Sequence, residues 1–455
     1  MTEFQSLVRR RFKYSLVWST AAKVTTCLLQ VISIPIAIKY LGKEGFVAYT
    51  ALYALSLAPQ ALVLRHGPAL TGPSAILFAK QQWQQIREKL WSAVTPSGAS
   101  ALIAGAGLLV FLLFGWIDIP AALDGVSRQT LLATLAVLVV VNLLNTWVLV
   151  FDDMQAAFQE THVQGIRVTL GNIVALLAII FIIPRWPSLL LYAVAITVPP
   201  IAFRVANVGL LMVRYRQIIP TAGSVNSQLI KQAIRNSFMY TLVVGLGNYA
   251  SFRLPVIASA EFLSVDQTTS ISIINQFVLV GYVFGSVLGV AFVPAINATI
   301  ADGNSKWVHR SVRRLEFLLL AASILGIIAF YLLGPIVHRY FVKESLHVST
   351  NCLLFAGIYT ALLVIENFYY LVTFSFSPSV RLSVLYVVRT LITGVFAFIA
   401  CAADFPAGIW ISGSVLTIMM TIFAYRFAVF DHLRRVTSEN EVEDQASLPI
   451  ATATD

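Results

Sequence analysis

Only 11% of the 455 residues are charged and 58% are hydrophobic. A soluble globular chain carries about 25% charged residues, so this one lacks the charge to cover a water-facing surface. The net charge of +10 would suggest nucleic acid in a soluble protein, but here the question is on which side of a membrane Lys and Arg collect.

At the N-terminus, Arg9, Arg10, Arg11 and Lys13 precede an apolar run over residues 15–38. It is too long for the apolar core of a signal peptide and has no small-residue cleavage pattern, so it reads as a first span. Hydropathy then places spans over 45–64, 97–116, 130–151, 168–183 and 188–213. A polar stretch covers 214–236, and six more spans follow over 238–258, 270–293, 315–337, 349–374, 382–401 and 407–425. Each of the twelve except the shortest, the fifth, is long enough for a hydrocarbon core of about 30 Å. The tail beyond Arg435 carries Glu439, Glu441, Glu443 and Asp444 without a further Lys or Arg, a composition that suits a disordered end. Cys27, Cys352 and Cys401 stand isolated in apolar runs, which suggests neither a disulfide framework nor a metal site.

Charge bias tests this layout. If the N-terminus is cytoplasmic, 21 of the 31 Lys and Arg fall in cytoplasmic segments, 6 fall on the opposite side, and Lys23, Arg204, Arg253 and Arg389 lie within spans. That split predicts an all-α integral membrane protein with both termini in the cytoplasm. Six spans, a basic linker and six more put two halves in one orientation, as in parallel-repeat transporters. The expected organisation is a first half over 1–213, a cytoplasmic linker over 214–236, a second half over 237–430 and a disordered tail over 431–455.

Ionisable residues inside spans are costly and usually face a cavity or a partner. At the rise of an α-helix, Lys23, Arg204, Glu366 and Arg389 lie roughly 10–14 Å from the cytoplasmic ends of their helices, and Arg253 lies deeper. The net sign at that level is positive, which suits an anionic substrate such as a phosphate. Lys23 is the leading contact, with Gln30 seven residues on along the same face. Asn207 follows Arg204 by three and Asn145 follows Asn142 by three, giving polar stripes suited to sugar hydroxyls. Arg204 and Arg253 are also placed to snorkel to the helix ends, and the asparagines to bond neighbouring helices. Glu366 and Arg389, at matching depth on consecutive antiparallel helices, suit a buried ion pair or a coupling site.

Two short motifs carry a resemblance. Ile34-Pro35, then Tyr40-Leu41-Gly42-Lys43-Glu44-Gly45-Phe46 and Tyr49, resemble the first hairpin of the polysaccharide transporter family. Val293-Pro294-Ala295, then Ala301-Asp302-Gly303, Trp307 and a basic helix, are similar to that family's stretch after the eighth helix. Pro68-Ala69, Trp83 and the basic run to Leu90 echo the second motif within the first half. These relatives are the O-antigen-type flippases of the multidrug/oligosaccharidyl-lipid/polysaccharide exporter superfamily. The resemblance implies about twelve helices in two six-helix bundles, related by a pseudo-twofold axis along the membrane normal, around a central cavity. It also implies alternating access for an undecaprenyl-pyrophosphate-linked glycan across a bacterial inner membrane, with no cofactor. Expected partners are that anionic lipid-linked glycan, membrane lipids and other polysaccharide assembly proteins, and no nucleic acid. Arg253 departs from the acidic residue of many relatives, which argues against cation coupling on its helix.

Other classes leave fewer traces. There is no P-loop. Asp152-Asp153, read as the start of a loop after the fourth span, is the one trace of a metal-dependent membrane glycosyltransferase. A polymerase would need a sizeable external loop, and the longest here are short. An ion-coupled multidrug exporter of the same superfamily remains the competitor, although its mostly cationic substrates prefer an acidic cavity.

Overall fold

The structure, a computed structural model, describes residues 3–114, 125–221, 223–301, 305–342, 348–376 and 380–422. Regular structure among them is helical throughout. The expected acidic tail and the Asp302-Gly303 motif lie outside the described residues, as do the side chains of Pro294 and Trp307.

The first half begins with α1 (Glu3–Ser56), α2 (Ala58–Leu62) and α3 (Pro68–Ala79) and continues with α4 (Trp83–Leu113), α5 (Arg128–Ala157), α6 (Thr161–Ile182) and α7 (Leu189–Arg214). The second half holds α8 (Ser227–Thr241), a π-helical turn (Leu242–Gly247), α9 (Asn248–Phe252), α10 (Leu254–Phe262) and α11 (Val265–Ala301). It is completed by α12 (Ser305–Val342), α13 (Thr350–Phe376), α14 (Val380–Ala402) and α15 (Ala407–Met419). Seven helical stretches among the described residues are long and apolar enough to cross a membrane, the first being Val17–Leu62, which holds two of the predicted spans.

Several boundaries differ from the hydropathy reading. The predicted loop between the first two spans is a kink inside α1 at Gly42, whose φ of 76° is left-handed backbone that a residue without Cβ adopts freely. The predicted linker is helical from Ser227. α8 is amphipathic, with Ser237 buried and Lys231 and Arg235 exposed, and a hydropathy average cancels such a pattern. The seventh span is broken, by the π-turn at 242–247 and again at Arg253, which precedes Leu254-Pro255 at the start of α10. A π-turn and a proline are both ordinary causes of helix breaks. The fifth span lengthens into a helix of 22 residues.

Packing follows lipid logic. On α12 large apolar side chains such as Phe317, Leu325, Leu332 and Ile336 are exposed, and only 6% of its most apolar window is buried. An apolar outer face is what hydrocarbon requires. Inside, Phe46, Leu52, Leu138 and Tyr192 centre one core in the first half, and Tyr359 and Trp410 centre another in the second. A third, around Ile86, Phe151 and Phe158, closes the Lys/Arg-rich end of the first half.

The halves meet along a seam. Near the kink of α1, Lys43 Nζ lies 2.7 Å from Asp266 Oδ1 of α11, and Thr50 and Ser272 hydroxyls are 3.4 Å apart. At the basic end, the Arg65 backbone N–H donates to Thr241 Oγ1 at 2.8 Å, and His66 Nδ1 meets Ser237 Oγ.

Candidate binding cavity

Between these two ends lies a cavity of about 230 Å³. One wall is α1, where Thr26, Leu29, Gln30 and Ser33 recur with the three- and four-residue spacing of one helix face. α5, α6 and α7 supply Asn142, Asn145, Asn172 and Arg204. The second half adds Arg253, at the break between α9 and α10, and Gln276 of α11. Tyr49, Tyr53 and Tyr192 complete an aromatic side. Two guanidinium groups and several amides line the space, and no Asp or Glu is among the lining residues.

Local geometry orients these groups. Arg204 Nη1 donates to Asn145 Oδ1 at 2.7 Å and stands 3.9 Å from Asp152 Oδ2. The Arg253 guanidinium lies over the Tyr53 ring, 5.1 Å from its centroid, within cation–π range. Asn142 Nδ2 donates to Ser56 Oγ at 2.8 Å, and Asn172 Nδ2 to Thr26 Oγ1 at 2.8 Å. Tyr49 packs edge-on against Tyr192 with centroids 4.7 Å apart. The polar groups are thus held from behind, which orients them toward a ligand.

The structure brings Gln30, Arg204 and Arg253 together in this cavity and places the other candidates elsewhere. Lys23 extends the Thr26–Gln30 face by one turn toward the basic end, about 4.5 Å along the axis, and does not line the cavity. Asn207 is buried and turned away: its amide exchanges two hydrogen bonds with Gln155, of 2.7 and 3.2 Å. That pairing engages one donor and one acceptor of the Asn207 amide. Arg389 is absent from the cavity too. It is directly paired with Glu366 inside the second half, with both side chains almost fully buried.

Asp152 and Asp153 do not begin a loop, because α5 continues to Ala157. Asp153 Oδ2 accepts the Gly67 N–H at 2.8 Å, while Asp152 faces Arg204. No group of three or more His, Cys, Asp or Glu suited to a metal occurs among the described residues. Sequence reasoning passed over Tyr53, Tyr192, Asn172 and Gln276, quoted Tyr49 only within a family motif, and read Asp152 only as part of an acidic pair. Asn172 and Gln276 carried a readable signal, as amides inside apolar spans. The tyrosines did not, because an aromatic in a span reads equally as core.

No protein-family model matches the chain, and no curated protein sequence matches it. Solved structures do. An inward-facing multidrug-resistance MATE transporter of the MOP superfamily is similar with a TM-score of 0.68 at 14% identity, covering 93% of this chain and 99% of that one. An outward-facing structure of such a transporter gives 0.69 at 14% identity over 96% and 99%. A MOP-superfamily transporter from Pyrococcus furiosus, described by a reverse polarity of its binding pocket that suggests a different function, gives 0.66 at 14% identity over 97% and 99%. Over nearly its whole length, the chain therefore has the two-bundle, all-helical membrane fold of the MATE transporters of the MOP superfamily.

Proposed function

We propose that this protein is an alternating-access exporter whose cargo is anionic: a polyprenyl-pyrophosphate-linked oligosaccharide moved across a bacterial cytoplasmic membrane for surface polysaccharide synthesis. The observation that carries this reading is the sign of the cavity. Arg204 from one half and Arg253 from the other line it, and no carboxylate does. Guanidinium groups match phosphate in charge and in planar, bidentate geometry. The amide-rich wall suits sugar hydroxyls, and the tyrosine side suits the faces of sugar rings.

Size limits what this conformation holds. Pockets for drug-sized ligands run about 300–1,000 Å³, so about 230 Å³ takes a headgroup and no more. The glycan requires the halves to part. The fold relation to transporters caught in both inward- and outward-facing states supports such a movement. The positive-inside bias supports placing both termini in the cytoplasm.

The competing reading is a multidrug exporter, since the structural neighbours include multidrug-resistance transporters. Two assays separate them. In a strain lacking its own flippase, the wild-type chain restores surface glycan, and Arg204→Glu with Arg253→Glu abolishes it at equal protein abundance. In a strain lacking its drug pumps, the wild-type chain confers no resistance to ethidium. Ethidium resistance without glycan restoration rejects the proposal.

A further inference from the structure

One carboxylate that the proposed transport reaction has not used stands behind a cavity-lining arginine. Asp152 is 4% exposed, and neither of its oxygens has a hydrogen bond of normal geometry, although Gln164 approaches from α6. A buried charge is tolerated only when it is paired or bonded. What faces Asp152 is Arg204, and the contact is loose at 3.9 Å. Arg204 spends its short hydrogen bond elsewhere, on Asn145 at 2.7 Å, and its side chain is 21% exposed on the cavity side. Asp152 thus sits behind a cavity-lining cation that is held by a neutral amide and only leans on the carboxylate. Asp153, the next residue, points away to the Gly67 N–H.

The charged groups acting on Asp152 among the described residues are few. α7 contributes Arg204, α5 itself contributes Asp153, α6 contributes the neutral Gln164, and Arg65, between α2 and α3, acts on the neighbouring Asp153. The Arg204 guanidinium is thus the cation that favours the charged form of Asp152 against burial.

We propose that Asp152 is a proton-accepting counter-charge to Arg204, so that an anion drawing Arg204 into the cavity leaves Asp152 to take up one proton. This rests on the reading of the cavity as an anion site. The balance is simple: one anion pairs with the guanidinium, one proton joins a carboxylate oxygen of Asp152 from water at the basic end, and no bond other than that O–H is made or broken. Binding linkage is reciprocal, so protonation of Asp152 also frees Arg204 and strengthens anion binding. For a single coupled proton the affinity changes by at most about tenfold per pH unit. The arrangement ties proton uptake from the basic end to cargo loading.

The test uses the purified full chain in detergent with geranyl pyrophosphate as the probe. Calorimetry in two buffers of different ionisation heat counts the protons taken up on binding, between pH 6 and pH 8. The probe's own ionisation is common to both proteins and cancels in the comparison. The expected result is that wild type takes up close to one proton more than Asp152→Asn, and that the variant's affinity loses the corresponding part of its pH dependence. Equal proton uptake by the two proteins overturns the coupling while leaving the anion site intact. No binding of the probe to wild type, beside binding of ethidium, overturns the anion reading and this inference with it. If Asp152→Asn does not fold, wild type binding geranyl pyrophosphate at pH 8, where the probe is fully ionised, decides: no proton uptake overturns the proposal.

Discussion

Arg389 and Glu366, 23 positions apart, meet directly in the interior of the second half, their side chains only 2% and 1% exposed. The guanidinium also lies over the Tyr386 ring, 4.8 Å from its centroid. This pair ties α14 to α13 away from the cavity. Breaking a buried pair by removing one partner costs ~3–5 kcal/mol, because it leaves an uncompensated charge, whereas replacing both with apolar groups of similar volume is often neutral. Glu366→Gln and Arg389→Gln should each lower the melting temperature in detergent, and Glu366→Leu with Arg389→Met should restore most of it. Single variants as stable as wild type but inactive in transport would assign the pair to coupling instead.

His66 links acid stability to the seam. It lies between α2 and α3, outside the spanning helices, with Nε2 2.9 Å from the Ala93 carbonyl oxygen and Nδ1 against Ser237 of the other half. Burial pulls its pKa from 6.5 down to about 4, with the Ala93 bond opposing. The folded state therefore favours the neutral ring. Its contribution is fully present above pH 6.5 and is lost as pH falls from there toward 4, by about 3 kcal/mol in all. Thermal melts from pH 8 to pH 4 should show this loss in wild type and a flatter profile in His66→Gln.

Gly245 marks the place where the π-turn touches α2. A Cβ there would collide with the Ala61 carbonyl, which is backbone and cannot rotate away. Gly245→Ala should destabilise by about 1–3 kcal/mol, the usual range for overpacking. Gly209, where an added Cβ meets nothing within 4 Å, should accept alanine without loss. Paired melts of the two variants check this.

The Lys43–Asp266 bridge should govern opening more than stability. With the two side chains 23% and 46% exposed, a pair of this kind contributes at most about 1 kcal/mol. Asp266→Asn should leave the melting temperature nearly unchanged. It should raise the labelling rate of a Thr50→Cys reporter, since Thr50 lines the cavity beside this contact, by an impermeant maleimide. An unchanged labelling rate would remove the bridge from any role in holding the halves together.

Lys23 and Arg204 should differ in transport. Lys23 lies one helical turn outside the cavity wall and Arg204 lies within it. Lys23→Ala should reduce glycan export in a flippase-deficient strain less than Arg204→Ala does, at matched abundance. The reverse order would place the phosphate nearer the basic end than the cavity now described.

The membrane class and the spacing of the helices were legible in the linear chain because hydrocarbon imposes a local rule: about 18 or more apolar residues per span, with Lys and Arg gathered on one side. Arg204 and Arg253 stood out for the same reason, as charges inside such runs. α8 was not legible as a helix, because its apolar face is too narrow to lift an averaged hydropathy. What surrounds each of these side chains was decided only by the tertiary structure. Lys23, Asn207 and Arg389 satisfy the same linear criteria as Arg204. Whether such a side chain meets a cavity, a Gln155 amide or a Glu366 carboxylate depends on the rotation of each helix about its axis, and that rotation is set by contacts between residues far apart in the chain, such as Asn172 with Thr26 and Lys43 with Asp266.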